Sequence, residues 1–111
     1  MKTIRVPKTK DAMALLDTDE CPAELVHALE LPSDIFKALW QTDFLFKLSN
    51  ELEVWIDDYE SGDIIGLEAI RVGRKICEKH IALNPELQVL RQIRDLFDLA
   101  EKYDTCVCFD L

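Results

Sequence analysis

The pattern that most constrains this chain lies near its C-terminal end, where Val89, Leu90, Ile93, Leu96, Phe97, Ala100 and Tyr103 recur at helical spacing. Gln88, Arg91, Gln92, Arg94, Asp95, Asp98 and Glu101 fill the positions between them. One stripe is thus apolar and the opposite side polar, which predicts an amphipathic helix over 86–103 packed on a core. Asn84 is placed to cap it, Pro85 suits the first helical position, and Glu86 complements the positive end of the helix dipole. A second helix over 66–83 carries Leu67, Ile70, Cys77 and Ile81 along one stripe, with Gly73 as its point of close approach. The short Asn84-Pro85 connection folds the two into an antiparallel hairpin.

Upstream, Leu45, Leu48, Leu52, Trp55 and Tyr59 follow a spacing of three and four, which predicts a helix over 43–59 with Thr42 or Asp43 as its cap. Phe44 to Leu48 and Leu52 to Ile56 also alternate in part, so a β-hairpin over 44–58 is the competing reading. Pro22-Ala23-Glu24 and Pro32-Ser33-Asp34 look like the starts of short helices over 22–30 and 33–41, and 9–17 forms another. Thr3-Ile4-Arg5-Val6 alternates as a strand does, and the run 105–109 reads as a strand covered on both sides. Together these elements describe a helix-rich α+β domain of five or six helices, with short extended segments at both ends. A length of 111 residues with only 3 glycines and 4 prolines fits a single compact domain over 1–111 with one core.

Charge separates function classes more sharply than fold. The formal net charge is −9, and phosphate backbones and anionic lipid, which bind through Lys and Arg, repel such a chain. Nucleic acid and membrane surfaces are therefore not expected as direct ligands. No apolar run approaches the roughly 20 residues that span a bilayer, and the first residues lack the apolar stretch of a secretory signal. A cytoplasmic protein is the expectation, with its four cysteines as thiols. The acid excess is sharpest between Asp43 and Asp63, where Asp43, Glu51, Glu53, Asp57, Asp58, Glu60 and Asp63 are opposed by Lys47 alone.

Two constellations suggest metal. Residues 57–68 resemble the calcium loop of an EF-hand: Asp57 stands at the first ligand position, Ser61 at the fifth, Gly62 at the sharp turn, Ile64 at the apolar eighth position and Glu68 at the twelfth. Tyr59 departs from the pattern at the third, where a carboxylate or amide belongs. Cys77 and His80 share a helix face and Cys106 and Cys108 share a strand face, so the four offer a Cys₃His set for zinc. Catalysis finds less support. His27 and His80 are the only imidazoles, and no nucleophile elbow, phosphate loop or dinucleotide fingerprint occurs.

The reading these features favour is a non-catalytic acidic binding protein without a cofactor, which neutralises a basic protein partner as bacterial immunity proteins neutralise nuclease toxins. Asp57, Asp58 and Glu60 would replace phosphates in the partner's groove, Asp43, Glu51, Glu53 and Asp63 would extend the field, and Trp55 or Tyr59 would anchor the contact. Any of Trp40, Phe44 or Phe46 left at the surface beside these acids would add to such a patch. The alternatives are a small metal-binding or regulatory domain, with calcium at 57–68 or zinc at the Cys/His set, and a structural subunit of a larger assembly.

Overall fold

The sheet is built from the two ends of the sequence and two short segments between them. In the computed structural model, which describes residues 2–16, 18, 20–54, 56 and 62–111, the elements run β1 (Lys2–Pro7), α1 (Lys10–Leu16), a 3₁₀ turn (Ala23–Leu25), β2 (Val26–Leu31), α2 (Ser33–Trp40), α3 (Phe44–Leu52), β3 (Gly62–Ile65), α4 (Leu67–Leu83), α5 (Gln88–Tyr103) and β4 (Cys106–Asp110). The strands form one antiparallel sheet in the order β2-β1-β4-β3. The architecture is the helix-rich α+β fold expected from the sequence.

Strand alternation sorts the sheet into two faces. Ile4, Val6, Leu29, Leu31, Ile64, Val107 and Phe109 point to the main core, where they meet Ile70, Ile76, Cys77, Leu90, Ile93 and Phe97 of α4 and α5. The rings of Phe97 and Phe109 lie 6.4 Å apart, and burying each contributes about 2 kcal/mol. The opposite face is a smaller cluster in which Leu16 covers Cys106 and Cys108, flanked by Met13, Cys21 and Val26.

The hairpin of α4 and α5 forms as its pattern predicts. A Cβ at Gly73 would stand 2.8 Å from Phe97 Cζ and closer still to Cε1, so the two helices approach only because no side chain separates them. Outside this seam Arg71 Nε bonds Glu101 at 2.5 Å, and Arg74 bonds Glu101 at 2.7 Å and Asp98 at 3.3 Å. The caps differ from expectation. Asn84 closes α4, donating through Nδ2 to the His80 carbonyl at 3.1 Å, and α5 starts two residues later than predicted because its preceding residue, Leu87, is extended.

Three local readings are corrected. The segment expected as a helix over 22–30 is a single 3₁₀ turn followed by β2, because pairing with β1 satisfies its backbone, buries Leu31 and half-buries Leu29 while Ala28 and Glu30 stay exposed. The helix expected over 43–59 stops at Leu52, where Glu53 turns left-handed at φ 54°. The competing β-hairpin over 44–58 is absent from its described part, since 44–52 is helical. Residues 62–65 form the edge strand β3, with Ile64 buried opposite Val107. Gly66 joins β3 to α4 at φ 100°, a conformation that strains any residue with a Cβ.

Candidate functional site

Two large exposed aromatics lie where α2 meets α3. Leu45 and Leu48 take the inward stripe of α3, as their spacing predicts, and Phe44 is also buried. Phe46 falls off that stripe and is 67% exposed, and Trp40, at the end of α2, is 48% exposed. Thr42 fixes the corner between the helices: its hydroxyl donates to the Leu39 carbonyl at 2.6 Å and accepts from the Phe44 N–H at 3.3 Å. Past the far end of α3 the Ser49 hydroxyl accepts the Ile56 N–H at 3.2 Å and donates to the Ile56 carbonyl at 3.3 Å, drawing the chain back along the helix.

These constraints leave a cavity of about 600 Å³ with Trp40, Phe46, Val54 and Ile56 as its apolar walls and Ser49, Asn50 and Glu53 as its polar rim. Aromatic walls with a few polar groups are the composition of small-ligand and hot-spot sites. Both residues that bracket α3 are acids in the left-handed conformation, Asp43 at φ 63° and Glu53 at φ 54°. A side chain is disfavoured in that conformation, most of all one longer than Asn or Asp, and glycine is the common helix terminator there. Glu53 therefore occupies a costly position among the residues that line the cavity.

The acids predicted from the sequence divide. Asp43, Glu51 and Glu53 are exposed around α3. Asp63 does not join them: it lies on the sheet face turned away from α4 and α5, in register with Cys108. Trp55, Asp57, Asp58, Tyr59 and Glu60 lie outside the described residues. Of the aromatics expected to add to the patch if exposed, Trp40 and Phe46 are at the surface and Phe44 is buried. Sequence reasoning left Ser49 and Asn50 out of the site, and the signal for Phe46 was its position, one residue beyond Leu45 on the stripe of Leu45, Leu48 and Leu52.

The sulfur and imidazole ligands proposed for zinc are not brought together. Cys77 is fully buried in the main core, where burial pushes its thiol up and keeps it protonated. His80 donates Nδ1–H to the Ile76 carbonyl at 2.9 Å and stands edge-on to Phe44. Cys106 and Cys108 point to the other face of the sheet. Among the described residues no three His, Cys, Asp or Glu side chains are placed to hold a metal together. The EF-hand resemblance fails in its second half, because 62–65 pairs with β4 and Glu68 is an exposed residue in the first turn of α4. The first half of that loop, 57–61, lies outside the described residues.

No helix among the described residues is long and apolar enough to cross a membrane. No protein-family model, no curated protein and no solved structure matches this chain.

Proposed function

We propose that this protein is a non-catalytic binding module that docks a basic protein through the acid-rich corner formed by α2 and α3. The observation that carries this reading is the pair of exposed aromatics, Trp40 and Phe46, on a cavity whose rim holds Glu53. Aromatic anchors ringed by one sign of charge combine desolvated contact with steering of an oppositely charged partner. Asp57, Asp58 and Glu60 extend the same negative stretch in sequence. Inhibition of a nuclease-type toxin, as immunity proteins perform it, is the biological form that best fits a small acidic chain of this kind. The four cysteines are unpaired, which suits a reducing compartment such as the cytoplasm.

The test uses the purified protein as bait in a lysate of its own host, beside the variant Phe46→Ser/Glu51→Lys/Glu53→Lys and a second variant, Asp57→Lys/Asp58→Lys/Glu60→Lys. The expected result is a basic protein that the parent recovers, that salt elutes, and that both variants lose with unchanged circular dichroism. Equal recovery by all three forms overturns the proposal.

A further inference from the structure

The small cluster on the helix-poor face of the sheet contains an unusual density of sulfur. Cys106 and Cys108 alternate onto that face from the central strand β4, and their sulfurs lie 3.4 Å apart. Their residues are 2% and 8% exposed. Met13, on α1, and Cys21 pack against the same cluster and are less buried. The arrangement is thus a thiol pair at the base with a thioether and a third thiol at the rim. The proposed docking corner makes no use of it.

The geometry points to a binding site for a soft monovalent cation, copper(I), held by the two thiolates of Cys106 and Cys108 with the Met13 thioether of the same cluster completing its coordination. Thiolate and thioether ligands select copper(I) over hard cations. Two metal–sulfur bonds of about 2.3 Å at a trigonal angle place the sulfurs ~4.0 Å apart, so the pair has to open by roughly half an ångström. Zinc would require a fuller set of ligands, and among the described residues no third His, Cys, Asp or Glu is placed to complete one.

The surroundings of the pair fit an anionic complex. Copper(I) displaces the two thiol protons: two S–H bonds break, two copper–sulfur bonds form, both protons pass to water and no electron is transferred. The product, a bis-thiolate carrying one negative charge, lies beside Arg5, which is in register with Cys108 on the neighbouring strand. Arg5 Nε is buried and has no hydrogen-bond partner among the described residues. Its guanidinium stands 3.7 Å from Asp110. A buried donor without an acceptor costs stability, and a thiolate sulfur is an acceptor on the correct face.

The full chain is titrated with copper(I) under anaerobic, reducing conditions against bathocuproine disulfonate, a coloured copper(I) chelator. One copper per chain is expected to be withdrawn from the chelator and to raise the melting temperature. Cys106→Ser and Cys108→Ser abolish this, Cys77→Ser leaves it intact, and Arg5→Met weakens it about 10-fold, as loss of an outer-sphere partner does. Failure to compete with the chelator overturns the proposal, as does full retention of copper by the Cys106→Ser/Cys108→Ser double variant. Should the serine variants not fold, X-ray absorption at the copper edge of the loaded parent protein decides. Sulfur neighbours support the site, and a shell of nitrogen and oxygen alone overturns it.

Discussion

The α4–α5 hairpin and the α2–α3 corner are made from similar material, two helices joined by a short connection, yet they solve opposite problems. In the hairpin α5's stripe is buried from Val89 to Ala100, a glycine sits where the helices touch, and arginines bind carboxylates across the seam. At the corner two large aromatics remain at the surface, and two acids hold backbone conformations that glycine would hold at lower cost. The hairpin's seam favours stability, and its costly features lie at its ends, where Leu83 is exposed and Asp104 is left-handed at φ 55°. The corner's choices lower stability and gain exposed chemical groups, the pattern expected where sequence serves recognition.

Gly73→Ala tests the hairpin's half of this contrast and carries the largest expected effect. The new methyl meets the Phe97 ring, so chemical denaturation should show a loss of about 2–3 kcal/mol, and Phe97→Leu in the same chain should restore part of it. A loss below about 0.5 kcal/mol would mean that the helices separate freely, and the contrast with the corner would disappear. Glu53→Gly tests the corner. Relieving the left-handed side chain should raise stability by about 1 kcal/mol while weakening capture of the basic partner. Stabilisation with undiminished capture would place Glu53 outside the interface.

The smallest expected effect concerns acid. The Arg71 guanidinium, and after it Arg74, hold the Glu101 carboxyl below its usual range. A carboxyl with a lower pKa in the folded state contributes stability that is fully present above its unfolded pKa and is lost as pH falls through its folded one. Glu101→Gln should therefore flatten the fall in urea midpoint between about pH 5 and about pH 2 relative to the parent chain. An unchanged pH dependence would show the seam's ion pairs to be ornamental to the hairpin.

Legibility in the sequence followed how local the deciding interaction was. The stripe of α5, the close approach at Gly73 and the strands at both ends were readable because each is decided by residue spacing or by the size of one side chain. β2 and β3 were not readable. Val26 to Leu31 carries a weak helical spacing as well as alternation, and the choice falls to β1, an edge some twenty residues away that offers it hydrogen bonds. Gly62 to Ile65 is too short to declare itself and is selected by β4, more than forty residues later. At the candidate site the acids were legible as a charge run, but the exposure of Phe46 and Trp40 depended on how α2 turns into α3, which Thr42 and the left-handed Asp43 decide.

The central pair of the sheet, β1 with β4, joins Ile4 to Phe109, and Lys2 Nζ reaches the Leu111 carbonyl at 2.9 Å. Nearly the whole sequence must be synthesised before this ladder can close, whereas the α4–α5 hairpin needs only its own residues. Folding should consequently begin in the helices and finish at the sheet, with the closing of a loop of about one hundred residues as its slow step. Until β4 docks, Cys106 and Cys108 remain exposed to solvent, so alkylation of these thiols during refolding would time the last event in the assembly of the protein.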